Sequence, residues 1–136
     1  PISLNVGNFA YGDPTIFQNC TGVRKVNFTK GTGIGTDYGG GYGAYYGGTP
    51  WYYSRENPIT VTMEEGITTI GTSTFEGCSG LVSIELPSTL KTVKKSAFKN
   101  SGTKSGYINR IYKGNDWSSI VIEDNNDALI NSTYDK

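Results

Sequence analysis

Cys20 and Cys78 are the only residues in the 136-residue chain with the makings of a nucleophile at a repeated position. Each follows a phenylalanine by three residues, in "FQNC" and "FEGC". A cysteine works as a reagent when a neighbouring base or positive charge holds it as thiolate. The chain has no histidine, which removes the commonest general base and the commonest transition-metal ligand together. Two cysteines without further ligand-type neighbours make no zinc site. Both are therefore expected to be small apolar fillers, buried, reduced and not bridged to each other.

Three other stretches offer chemistry. "DYGGGYGAYYGGTPWYY" sets Tyr38, Tyr42, Tyr45 and Tyr46 among glycines ahead of Trp51. Amphipathic rings on a permissive backbone suit stacking on sugars or anchoring a protein partner. They equally suit a loop folded back on the body of the protein. Its glycines lack both the dinucleotide-binding spacing and a Gly-Lys-Ser/Thr, so phosphate binding is excluded. From Pro87 to Asn115 there is no acidic residue, while Lys91, Lys94, Lys95, Lys99, Lys104, Arg110 and Lys113 are all present. Gathered on one edge they would attract an anionic polymer; spread out they are a solvated face. "EDNND", Glu123 to Asp127, is rich in oxygen ligands. It lacks the glycine and the later bidentate glutamate of a calcium loop and reads as a polar turn. No carboxylate pair stands out as a hydrolase dyad, and nothing implies a metal or cofactor.

The elements that carry these residues follow from an internal echo. Phe17, Cys20, Val23, Val26 and Phe28 each recur 58 residues later as Phe75, Cys78, Leu81, Ile84 and Leu86. A shift of 23 residues places Val61, Met63, Ile67, Ile70 and Phe75 on Ile84, Leu86, Leu90, Val93 and Phe98. Each unit has a short alternating strand, a turn at Gly66 or Pro87, a second apolar pair and a Phe-containing bend. A unit this small cannot bury its apolar residues alone, so the units must stack and form ladders of like residues. One ladder is expected to hold Val26, Val61 and Ile84, and its neighbour Phe28, Met63 and Leu86. The larger offset is one repeat plus a second repeat with 12 extra residues, carried by the Gly/Tyr stretch 33–58. That stretch is expected to replace the Phe-bend of the middle rung.

The fold class predicted is therefore mainly β with short helical turns, a stack of three to four rungs forming one domain. Residues 1–16 are expected to cap one end and 105–136 the other, with 17–104 as repeats. Ile111, Trp117, Ile120, Ile122, Leu129 and Ile130 are the residues available to seal the second end. Alternation along the strands turns Lys25, Asn27, Thr60, Thr62, Ser83 and Glu85 outward, and these form a candidate binding face that is mostly small and polar. Lys+Arg and Asp+Glu are balanced at 12 each, so no overall field favours nucleic acid or a membrane surface. No apolar run approaches the roughly 18 to 20 residues of a membrane helix. The chain opens on Pro1 with neither Met nor a leader, as expected of a piece of a longer precursor.

The run "ITTIGTSTFEGCSGLVSIELPSTLKTVKKSAF", Ile67 to Phe98, resembles the BspA-like leucine-rich repeats of surface antigens from bacteria of the gut Firmicutes and Bacteroides type. That pattern is Ile-Gly-x-x-x-Phe, x-Gly-Cys, Leu-x-x-Ile-x-Leu-Pro, x-x-Leu-x-x-Ile. "FTKGTGIGTDY" with "TPWYYSRENPITVTMEEGITTIG" looks like the family's lead-in, and "YKGNDWSSIVIEDNNDALINST" is similar to a closing segment. Val93-Lys94 departs from Ile-Gly, and Asn100-Ser101 from Gly-Cys, as though the array ends there. The resemblance implies a leucine-rich-repeat solenoid acting as a secreted or cell-surface interaction module without catalysis. Its partners would be a host or bacterial surface protein, or a glycan. Two other uses remain open: a carbohydrate-binding accessory module built on the tyrosine-rich insertion, and a structural spacer in a larger surface protein.

Overall fold

The computed structural model describes residues 2–6, 19–29, 51–130 and 133–135. Strands dominate, and all the pairings between them are parallel. The larger sheet contains β1 (Ile2–Val6), β2 (Val23–Phe28), β3 (Ile59–Met63), β5 (Leu81–Leu86), β7 (Asn109–Tyr112) and β9 (Thr133–Asp135), side by side in chain order. The smaller contains β4 (Thr69–Ile70), β6 (Thr92–Val93) and β8 (Val121–Ile122). The only α-helix among the described residues is the single turn α1 (Asp127–Ile130), and no helix there is long and apolar enough to cross a membrane.

The sheet register is the sequence repeat made physical. Val26 pairs with Val61 and Val61 with Ile84, and all three are fully buried. Phe28 pairs with Met63 in the neighbouring row, which continues to buried Leu86. Ile70 and Val93 pair in the smaller sheet, so each repeat contributes one strand to each sheet and the apolar core lies between them. Six strands rather than three to four rungs make up the larger sheet, because 2–6, 109–112 and 133–135 each add a parallel strand.

Between the sheets the bends form a ladder of their own. The amides of Ser73, Phe75 and Gly77 donate to the carbonyls of Lys95, Ala97 and Lys99, at 3.2, 2.7 and 2.8 Å. Residues at equivalent places share the left-handed backbone: Ser73 with Ser96, and Gly77 with Asn100. Asparagine is among the few side chains that tolerate this region, so Asn100 can stand where the repeat has glycine. Ser101 stands where it has cysteine; its buried hydroxyl donates to the Phe75 carbonyl, which satisfies a group that sulfur would have left to packing.

An aromatic column runs through these bends. Trp51 stacks on Phe75 with centroids 5.6 Å apart, and Phe75 on Phe98 at 5.3 Å. The middle rung therefore keeps an aromatic at its bend, against the expectation that 33–58 replaces it. Trp51 is fully buried, and its indole Nε1–H donates to the Thr74 carbonyl at 3.0 Å, the polar partner that a buried tryptophan requires. The column ends at Asn126. Its Oδ1 accepts from the Phe98 amide at 2.9 Å, and its Nδ2 donates to the carbonyls of Lys94 and Glu123, both at 2.9 Å. The side-chain amide thus supplies hydrogen bonds that a further rung's backbone would make.

Further ties join residues about one repeat apart in the turns. The amide and hydroxyl of Ser88 both donate to the Glu65 carboxylate, and these bonds hold its pKa below the ordinary value. Rungs approach so closely at Gly80 that a Cβ there would lie 1.9 Å from the Asn57 carbonyl oxygen. Only glycine fits that contact.

A candidate interaction surface on the larger sheet

Alternation gives the larger sheet a buried row and an outward row along every strand. The six candidate residues fall into two adjacent rows on its outer side. Lys25 pairs with Thr60 and Thr60 with Ser83 in one row; Asn27 pairs with Thr62 in the other, which Glu85 continues. Lys25 is exposed and the other five are half-buried. The Thr62 hydroxyl donates to Asn27 Oδ1 at 2.7 Å, so neighbouring side chains fix each other across strands. β7 extends both rows with Asn109, opposite Ser83, and Ile111, opposite Glu85. Lys113 closes on Glu85 at 3.2 Å. The outcome is a polar face with spaced hydroxyls and amides, few charges and one half-buried aliphatic side chain.

Asn109 and Ile111 were not legible as members of this face. Ile111 reads as a sealing residue, yet the register sets Arg110 opposite Ile84 and Tyr112 opposite Leu86, and so turns Ile111 outward. Arg110 is buried at 6% exposure. Its guanidinium lies 3.9 Å from the centre of the Trp117 ring, and Nη1 donates to the Leu129 carbonyl at 3.0 Å. Trp117 itself meets Tyr112 edge-on at 5.3 Å. Of the other expected sealing residues, Ile120 and Leu129 are buried, and Trp117 and Ile122 pack partly against the core. Ile130 remains 51% exposed.

The basic run does not gather on one edge. Arg110 is interior, Lys113 pairs with Glu85, and Lys104 lies 3.9 Å from Glu56. The Lys95 amide is bonded to the Glu123 carboxylate, which brings an acidic side chain up to the lysines of 91–99. In the "EDNND" turn, Glu123 and Asn126 are committed to backbone groups. Among the described residues no cluster of potential ligands could hold a metal ion. Tyr38, Tyr42, Tyr45 and Tyr46 lie outside the described residues.

Both cysteines are free, and β3 stands between the strands that follow them. Cys78 is buried at 3% exposure, and burial pushes its thiol up to about 12 despite the nearby positive charge of Arg55. A thiol so raised supplies no thiolate at neutral pH. Cys20 departs from expectation in being half-exposed. In the next rung the place of a cysteine is taken by Arg55, with its guanidinium 4.2 Å from the Tyr52 ring centre, so the thiol meets a polar neighbour there. Ser54 ties the two rungs instead: its hydroxyl donates to the Cys20 carbonyl at 2.7 Å and accepts from the Val23 amide at 3.0 Å.

A family model described as "BspA type Leucine rich repeat region (6 copies)" matches residues 49–128. No curated protein and no solved structure matches the chain. The matched segment takes in the Trp51-Phe75-Phe98 column, the strands β3 to β8 and the residues that close the bends. Repeats of this kind typically serve as non-enzymatic interaction modules. With more than half its length covered by that pattern, and with the parallel rungs to match, the chain belongs to the BspA-type leucine-rich repeat family.

Proposed function

We propose that the protein is a non-catalytic adhesion module of a bacterial surface or secreted protein, and that it binds a partner protein through the outer side of the larger sheet. The observation that carries this reading is the in-register polar face of Lys25, Asn27, Thr60, Thr62, Ser83 and Glu85, set over a dry apolar core. Such a face has no deep pocket and few charges, so single-site affinity is low. Many copies acting together raise it through effective concentration. Placement outside the cell and membership in a longer polypeptide are part of the same proposal.

Beads coated with the domain provide the multivalent format for a test on epithelial cell layers and on bacterial cells. Coated beads should adhere well above uncoated ones. The double variant Thr62→Arg, Ser83→Arg should reduce adhesion at least tenfold, because two bulky cations are set across both rows. Its melting temperature should stay near that of the parent. Adhesion no better than that of uncoated beads, or unchanged in the double variant, refutes the assignment to this face.

A further inference from the structure

Two adjoining hollows lie away from the sheet face, where the turn after β6 meets α1. The larger, about 230 Å³, has Thr103, Gly106, Tyr107, Asp127 and Ala128 in its wall. The smaller, about 130 Å³, shares Asp127 and Ala128 and adds Lys99, Asn100 and Asn125. Taken together they reach the lower end of the range for small-molecule sites, on the order of 300 Å³.

The backbone builds this place with care for its side chains. Gly102 and Gly106 both adopt positive φ, and the Gly106 amide closes on the Gly102 carbonyl at 3.0 Å. The Ser105 hydroxyl donates to the Tyr107 carbonyl at 2.8 Å. This tight turn holds Tyr107 out at 56% exposure, an unusual position for a large ring unless something covers it. Asn100 and Asn125 are both in the left-handed region, and both are exposed. Among the described residues no hydrogen bond or ion pair engages the side chains of Lys99, Thr103, Tyr107 or Asp127.

We infer that these hollows form a binding site for a neutral pyranose sugar, one unit seated in the larger hollow and its substituents or a second unit reaching the smaller. A pyranose has an apolar C–H face and a rim of hydroxyls. The Tyr107 ring and the Ala128 methyl suit the first. The Asp127 carboxylate accepts from hydroxyl pairs, while the Asn100 and Asn125 amides and the Lys99 ammonium donate. A phosphate or other polyanion is disfavoured by Asp127, and a peptide strand finds no free sheet edge at this turn. The hollows are open, so binding is weak, with Kd on the order of 1 mM. The site is separate from the proposed adhesion face and from the tyrosine-rich insertion.

Amide shifts of the 15N-labelled protein, titrated with D-glucose, D-galactose and N-acetyl-D-glucosamine to about 50 mM, provide the test. At least one sugar should produce saturable shifts at Gly102, Gly106, Tyr107 and Asp127. Tyr107→Ala and Asp127→Ala, both at exposed positions, should each weaken that binding about tenfold or more while leaving the remaining spectrum in place. No saturable shift at this cluster with any of the three sugars overturns the inference. Shifts that persist unchanged in both variants overturn it equally.

Discussion

Asn126→Leu isolates what closing the bend ladder is worth. Leucine nearly matches asparagine in volume, so packing changes little while every hydrogen bond of the amide disappears. The Phe98 amide, beside a fully buried ring, loses its acceptor, and the Lys94 and Glu123 carbonyls lose a donor. A buried group left unsatisfied costs about 1–3 kcal/mol. Lys94 is half-buried and Glu123 exposed, so water can reach those carbonyls and the amide dominates. The expected loss is about 2–4 kcal/mol. Asn126→Asp adds a sign. Its carboxylate still accepts from Phe98 but faces two carbonyl oxygens in place of its former donors, which raises its folded pKa above the unfolded value. As pH rises past about 4, the unfolded chain then releases its proton before the folded chain does. The variant should therefore lose stability as pH rises from about 4 to 7, relative to the parent. Urea denaturation followed by circular dichroism at several pH values measures both variants, with exposed Asp127→Ala as the control at under about 0.5 kcal/mol. An Asn126→Leu protein within about 0.5 kcal/mol of the parent, or an Asn126→Asp difference flat with pH, would refute the capping role.

Two further predictions test the register and the thiols. Ile84→Asp should prevent folding, with a loss exceeding about 4 kcal/mol, because it buries an unpaired charge in the apolar ladder; outward Ser83→Asp should cost under about 1 kcal/mol, and equal losses in circular-dichroism melts would disprove the register. In the native protein at pH 8, iodoacetamide should modify half-exposed Cys20 and spare Cys78 until denaturant is added. Because the folded thiol of Cys78 is raised from 9.0 to about 12, its contribution is fully present below pH 9 and fades as pH rises toward 12, by up to about 1.4 kcal/mol per pH unit; a Cys78→Ala variant with the same alkaline stability profile as the parent would contradict this.

The rows through Val26, Val61 and Ile84 were legible because stacking forces chemically similar residues to equal offsets, and an offset can be read without coordinates. Trp51 escaped notice as a member of the aromatic column because it breaks that identity while keeping the shape. Arg110 was hidden for a stronger reason. Its row is defined by pairing with Ile84, 26 residues away instead of 23, and a charged residue in a core row is legible only once Trp117 and the Leu129 carbonyl are seen to receive it. "NRIY" viewed alone puts its isoleucine inside and its arginine outside, the reverse of what the register imposes. The candidate face was legible as far as the repeat was clean, from β2 to β5, and stopped at β7 where the spacing changed. Asn126 gave one faint signal, a polar residue just where the next bend's phenylalanine would fall. The sugar-sized hollows had none, since they depend on two turns meeting that no periodicity connects.

The detour between β2 and β3 bears on the order in which the chain assembles. Val26 meets Val61 across 35 residues, whereas Val61 meets Ile84 across 23. Closing the longer loop costs only about 0.4 kcal/mol more in chain entropy, which explains how the stack absorbs the added length without losing register. The difference is felt in rate and sequence of events. Loops close faster when they are short, so β3, β5 and the bends between them form the earliest nucleus. β2 joins that nucleus afterwards, on a ready-made template that already presents Val61 and Met63. The first half of the chain is then a late passenger in folding, and its connecting segment is free to vary in length over evolutionary time with little consequence for the kinetics of the rest.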